Sequence, residues 1–320
     1  MSRTGADILN ESIVVLSGGV GGAKLCLGLQ RILPPGALRV IVNTGDDFEH
    51  LGLAICPDLD TTLYTLAGLA NPDLGWGRRE ETWTFLSVLE SLGGPTWFRL
   101  GDGDLALHVE RTRRLAAGET VTSITGDLAR RLGVASRILP MSDDPVCTRV
   151  STPNGELAFQ EYFVRERCHP AVTGLRFCGS DRARIAEGAM QALREESLRA
   201  VLIAPSNPYL SIDPVLAIPG MRAALRAPGV PVIAVSPIIA GEAVKGPTAK
   251  IMKELGLAPS SLTVRNHYDG LIDGMVLDER DAEIASHAGL PVRQCDTLMR
   301  SLEDRERVAR CALELAEDLA

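Results

Sequence analysis

The sequence predicts an α/β protein: a Rossmann-like, doubly wound, mostly parallel sheet with a smaller β-rich insertion. Three observations predict it. Short apolar, β-rich runs recur at residues 13–16, 38–42, 199–203, 230–235 and 274–277, each followed by a polar or glycine-bearing tip. Helical patterns follow most of these tips, and repeated strand-then-helix units place the strands parallel with their tips on one edge. Around residues 137–185 the pattern changes to short strands about Thr152-Pro153-Asn154-Gly155, a hairpin signal. The expected organisation is a core of 12–136 and 186–320, an insertion of 137–185 and a disordered polar lead of 1–11.

Composition narrows the function. The 320 residues can bury a large core, and 45% hydrophobic with 23% charged residues is ordinary for a globular protein. A net charge of −8 argues against a nucleic-acid binder, which would present a basic face. The basic clusters at 78–79, 111–114 and 130–131 read as solvated helix faces, with an anionic small molecule as the alternative use. No apolar run reaches the length of a membrane span and no hydrophobic leader opens the chain, so a cytoplasmic location is expected. Seven scattered cysteines without a C-x-x-C pair read as free thiols. Five dispersed histidines without H-E-x-x-H argue against a zinc hydrolase.

The first strand runs directly into Ser17-Gly18-Gly19-Val20-Gly21-Gly22-Ala23-Lys24, and the apolar helical pattern of Leu25, Leu27, Leu29 and Ile32 follows, ended by Pro34-Pro35. Glycines there let the chain turn and let a ligand approach, while the helix start favours an anion. A phosphate site is the functional reading, and close βα packing is the bland one. It is not a P-loop, since Lys24 has no Ser or Thr behind it, and it lacks the third glycine of the dinucleotide fingerprint. An NAD site would also place an acid directly at the end of the second strand, where Asn43 stands.

Asn43-Thr44-Gly45-Asp46-Asp47 leaves that second strand. Two carboxylates near a phosphate suit Mg²⁺, which takes one or two carboxylates plus phosphate oxygens; an acid-capped turn explains the same residues. In Pro57-Asp58-Leu59-Asp60-Thr61, Asp60 or Thr61 is expected near a helix N-cap, with Asp60 alternatively a ligand for a cation or sugar hydroxyl. The tip Pro205-Ser206-Asn207-Pro208 offers hydrogen bonds to phosphate or base, although it is also ordinary turn chemistry. Helices are expected over 81–92, 105–117, 124–132, 182–196, 214–226, 248–255 and 302–319, with Lys245 or Lys250 facing an anion or lying on the surface.

Several longer segments occur in a fixed order: the glycine turn, Asn43-Thr44-Gly45-Asp46-Asp47, Cys56-Pro57-Asp58-Leu59-Asp60-Thr61, Arg99-Leu100-Gly101-Asp102, Pro140-Met141-Ser142-Asp143-Asp144-Pro145-Val146, Pro205-Ser206-Asn207-Pro208 and Asp296-Thr297-Leu298-Met299. Together they resemble the 2-phospho-L-lactate transferases (CofD type) of coenzyme F-420 biosynthesis, from about residue 13 to residue 300. The resemblance implies transfer of a phospho-acid, 2-phospho-L-lactate or phosphoenolpyruvate, from a guanylylated donor. The acceptor is the ribityl hydroxyl of the deazaflavin Fo, and GMP is released. It implies Mg²⁺ as cofactor, a homodimer, and no nucleic-acid or membrane partner.

Residue by residue, the resemblance implies that Asp60 and Arg99 contact Fo. It assigns the guanosine diphosphate to Gly18, Gly19, Gly21, Gly22, Lys24, Asn43, Ser206 and Asn207. Asp47 and Asp60 become the expected catalytic and metal-binding acids, with one of them accepting the hydroxyl proton. Asp143 and Asp144 either join that cluster, line the acyl pocket or cap a hairpin. The rival expectation is a nucleotide-sugar-binding regulator of the YvcK type, which shares the glycine turn without catalysis.

Overall fold

The computed structural model describes residues 11–72, 76–244 and 246–320; Lys245 and, apart from Glu11, the expected polar lead lie outside the described residues. Seven strands form the main sheet: β1 (Ser12–Ser17), β2 (Leu38–Val42), β3 (Arg137–Pro140), β4 (Leu198–Ile203), β5 (Val232–Val235), β6 (Gly274–Asp278) and β7 (Val292–Cys295). Their spatial order is β7-β6-β5-β4-β1-β2-β3, and every neighbouring pair is parallel. The sequence pattern explains this. In β1, Val14 and Leu16 enter one apolar cluster and Ile13 and Val15 the other, so a continuous apolar run is what a strand covered on both faces requires.

The order of the strands reverses between β1 and β4, where successive crossovers leave to opposite faces and their tips open a crevice. Helix α1 (Gly19–Ile32) starts immediately after β1, and α2 (Pro57–Leu66) packs beside it. Helix α3 (Asp102–Ala116) and the C-terminal α4 (Leu302–Asp318) complete the frame of the site. Gly28 lies against the Arg305 carbonyl, so α1 and α4 touch backbone to backbone there. A capping box of Ser301 and Asp304 fixes where α4 begins.

Several boundaries differ from expectation. Arg137–Pro140, expected to open the insertion, is the edge strand of the main sheet, pairing with β2. The β-rich part is a three-stranded antiparallel sheet of Cys147–Thr152, Gly155–Ala158 and Gly174–Cys178. The helix expected over 214–226 is broken into Asp213–Leu216 and Met221–Arg226, because Gly220 takes a left-handed φ of 84° after Pro219. A short antiparallel hairpin, Phe48–His50 with Leu53–Ile55, separates β2 from α2. Among the described residues no helix is long and apolar enough to cross a membrane, and the cysteines are all free.

Candidate active site

The tips of β1, β2, β4 and β5 open into one cavity of about 800 Å³, within the range of small-molecule sites. Gly18 lines it from the N-cap of α1, Gly19, Val20, Gly21 and Lys24 from α1 itself, Asp46 from the β2 tip, Asp58 and Asp60 from α2, and Ser206 and Asn207 from the β4 tip. The expected glycine, Ser-Asn and acidic segments therefore meet in one place.

The glycines are close-packed as well as open. A Cβ at Gly21 would lie 2.5 Å from the Pro205 carbonyl oxygen, and one at Gly18 would lie 2.5 Å from Asp58 Oδ2. The Gly18 amide donates to Ser206 Oγ (3.1 Å), and Ser206 Oγ donates back to the Gly18 carbonyl (2.7 Å). The Gly19 amide donates to Asp58 Oδ1 at 2.6 Å. Val20 and Gly21 follow in the first turn, where no intrahelical acceptor exists for an amide, and both face the cavity. Packing therefore positions the turn, and the Val20 and Gly21 amides are left at the cavity.

Asn43 organises the acids. Its Nδ2 donates to Asp46 Oδ1 (3.2 Å) and Asp58 Oδ2 (3.0 Å), and its Oδ1 accepts from the Gly45 amide. Burial raises the Asp58 carboxyl to about 6, partly offset by the hydrogen bonds from Asn43 and Gly19. Burial, and then the charges of Asp58 and Asp47, push Asp46 well above the ordinary carboxylate range. Asp47 is raised chiefly by burial, and its Oδ1 is buried without a hydrogen-bond partner. It stands beside Cys56 and is not on the cavity wall.

Asp60 sits in a second network. Arg111 donates from Nη2 to Asp60 Oδ1 and from Nη1 to Asp60 Oδ2 (3.1 Å). His108 Nδ1 lies 3.7 Å from Asp60 Oδ2, and His108 Nε2 lies 3.3 Å from Asp104 Oδ1. Tyr64 donates its hydroxyl to Asp104 at 2.6 Å. Burial alone would lower Arg111, but Asp60 overrides it and holds the guanidinium above its ordinary value. The basic cluster at 111–114 is therefore no uniformly solvated face, since Arg111 is only 2% exposed. Asp60 is not a helix cap either: the N-cap is Cys56, with Pro57 as the first helical residue.

Part of the cavity lining is aromatic. Trp76, Trp97, Phe98, Phe159 and Phe163 line the cavity together with Arg99. Trp97 and Phe98 meet edge to face at 5.7 Å, and Arg99 stacks on Trp83 at 4.4 Å from the ring centre. Lys24 lines the cavity while donating to the Met299 carbonyl at 2.9 Å. Asn207 caps Tyr209 and Leu210 through Oδ1 and leaves Nδ2 buried without a partner.

Other expected positions lie elsewhere. Asp143 accepts from the Thr122 amide and hydroxyl, Asp144 from the Arg184 amide, and neither lines the cavity. Asp278 ties down Thr297 and Arg280, and Lys250 is bonded to Glu254 and the Pro170 carbonyl. Sequence reasoning missed Asp46 as distinct from Asp47, and it missed Asp58, His108 and Arg111. The spacing of Asp104, His108 and Arg111 at i, i+4 and i+7 was the available signal for one shared helix face.

The profile of the family described as "2-phospho-L-lactate transferase CofD" matches residues 13–307. The chain belongs to that family. It is a CofD-type transferase. A phosphoenolpyruvate transferase of Streptomyces avermitilis is 41% identical over 316 residues, covering 96% of this chain and 98% of that protein. A phosphoenolpyruvate transferase of Mycolicibacterium smegmatis is 39% identical over 325 residues, covering 95% and 98%. A solved UPF0052-family protein of Bacillus halodurans superposes with a TM-score of 0.61 at 14% identity, covering 95% of this chain and 98% of that one; the likeness is one of fold.

Proposed function

We propose that this CofD-family enzyme transfers phosphoenolpyruvate from a guanylylated donor to the terminal ribityl hydroxyl of Fo, in coenzyme F-420 biosynthesis. The names of the similar transferases favour the enolpyruvyl donor over the lactyl one. In the step, the hydroxyl oxygen bonds to the phosphorus carrying the acid, the P–O bond to GMP breaks, and the hydroxyl proton leaves to a carboxylate. What carries the reading is the mixed lining of one cavity: backbone amides and acids from the strand tips together with aromatic rings.

The chain's own residues account for most of what phosphoryl transfer asks, which is alignment and charge compensation. The amides of Val20 and Gly21 and the Asn207 Nδ2 group offer donors to the diphosphate. Trp97, Phe98 and Trp76 suit a planar deazaflavin, with Arg99 beside them, and Asp60 is held rigid by Arg111 for a ribityl hydroxyl.

Mg²⁺ fits the acids joined by Asn43, one at the β2 tip and one on α2. Asp46 and Asp58 are two buried carboxylates sharing one amide donor, a cluster that favours a cation. Asp60, one of the two acids expected to hold it, is engaged by Arg111, and Asp47 does not line the cavity, so the ligand pair we propose is Asp46 and Asp58. Among the described residues no three His, Cys, Asp or Glu side chains converge on a metal position, so phosphate oxygens and water would complete the shell. When bound, Mg²⁺ supplies charge neutralisation at the diphosphate.

The test incubates the protein with Fo, Mg²⁺ and each guanylylated donor in turn, and reads products by mass spectrometry. Equimolar GMP and an enolpyruvyl-phosphate ester of Fo support the reading. A UDP-sugar that raises the melting temperature, with no Fo product, would support the regulator instead.

A further inference from the structure

We infer that Arg167 binds the carboxylate of the transferred acid; this rests on the function proposed above. Four basic side chains line the cavity: Lys24, Arg99, His108 and Arg167. Three have protein partners there. Lys24 donates to the Met299 carbonyl, Arg99 stacks on Trp83, and His108 lies between Asp104 and Asp60. Among the described residues the Arg167 guanidinium has no acid or carbonyl acceptor.

Its backbone is held in place, while the residue itself is exposed in the cavity lining. Arg167 and Cys168 both take left-handed φ values, 50° and 57°, in succession. Such backbone costs energy for residues with a Cβ and persists only where its surroundings enforce it. Here the Glu166 amide donates to the Glu161 carbonyl (2.8 Å), the Cys168 amide to the Tyr162 carbonyl (2.9 Å), and the His169 amide to the Glu166 carbonyl (2.9 Å). Tyr162 is wholly buried and anchors the turn. The segment is also tied to the aromatic lining, since Arg165 lies over Trp97 at 5.4 Å.

The charge layout gives Arg167 its ligand. The acids lining the cavity, Asp46, Asp58, Asp60 and Asp104, come from the strand-tip loops and helices, whereas residues 159–167 contribute no acid to the lining. Phosphates and any cation belong with the strand-tip acids and amides. The remaining anion of the donor is the acid's carboxylate, and the planar guanidinium fork matches it with two parallel hydrogen bonds.

Fluorescence titration separates the possibilities, because Fo and coenzyme F-420-0 carry the same deazaflavin and differ by the phospholactyl group. Arg167→Gln should weaken F-420-0 binding by about ten- to hundred-fold while leaving Fo within about two-fold of wild type. Arg167→Lys should restore part of the loss. Equal weakening of both ligands would mean that Arg167 only shapes the wall, and unchanged F-420-0 binding would remove it from the site; either result overturns the inference. Wild-type protein that binds no Fo would overturn the proposed function first, and this inference with it.

Discussion

Arg111 grips Asp60 through both terminal guanidinium nitrogens; both side chains are buried, and Asp60 lines the cavity. The pair joins α3 to α2 and fixes an acid that the glycine turn alone could not orient. Breaking a buried pair leaves one charge uncompensated, which costs more than the pair itself contributes. Arg111→Ala should therefore lower stability by about 3–5 kcal/mol, read from urea unfolding. The double variant Arg111→Met with Asp60→Leu should recover much of that loss in stability while remaining inactive.

Glycine positions should separate by what surrounds them. Gly21→Ala drives a methyl to within 2.5 Å of the Pro205 carbonyl, so it should cost about 1–3 kcal/mol and reduce GDP affinity. Gly126→Ala, in the helix Val121–Arg131 with open space around it, should stabilise by about 0.5–1 kcal/mol. Thermal unfolding of the two variants checks the contrast.

Much of the fold was legible because its signals are local. Apolar β-branched runs ending in polar tips located β1, β2, β4, β5 and β6, and the parallel order follows from the crossovers. The broken helix at Pro219-Gly220 was readable as Pro-Gly punctuation and was overridden by the apolar pattern around it. The residues that line the cavity were legible where local backbone signals mark them, at Gly18 to Gly21 and at Ser206-Asn207. The site was not legible where neighbours far apart in sequence decide it. Only folding brings Arg111 to Asp60, 51 positions away, and only folding turns Asp46 rather than Asp47 toward the cavity.

Acidity provides a third check. The Asp46 carboxyl is raised by burial and by Asp58 and Asp47, so the folded protein binds that proton more tightly than the unfolded chain does. Its contribution is intact below the unfolded value near 3.8 and is progressively lost as pH rises above it. Asp46→Asn keeps an oxygen to accept from Asn43 and removes the titration. The variant should gain stability over ligand-free wild type, with the gain larger at pH 8 than at pH 5. Denaturant unfolding at the two pH values reads it, and a gain that shrinks with rising pH would contradict the assignment.

The aromatic lining should answer to Fo alone. Trp97→Ala removes a ring that lines the cavity and meets Phe48, His50 and Phe98. At about 1 kcal/mol for such ring contacts, Fo affinity should fall about five-fold. GDP affinity, measured by calorimetry on the same variant, should stay unchanged.

Titration of Fo fluorescence at saturating GDP and Mg²⁺ tests the central claim most directly, that one cavity seats the nucleotide and the deazaflavin side by side. The account predicts a ternary complex, with Fo affinity equal to or tighter than in the absence of GDP. Competitive displacement of Fo by GDP would contradict it.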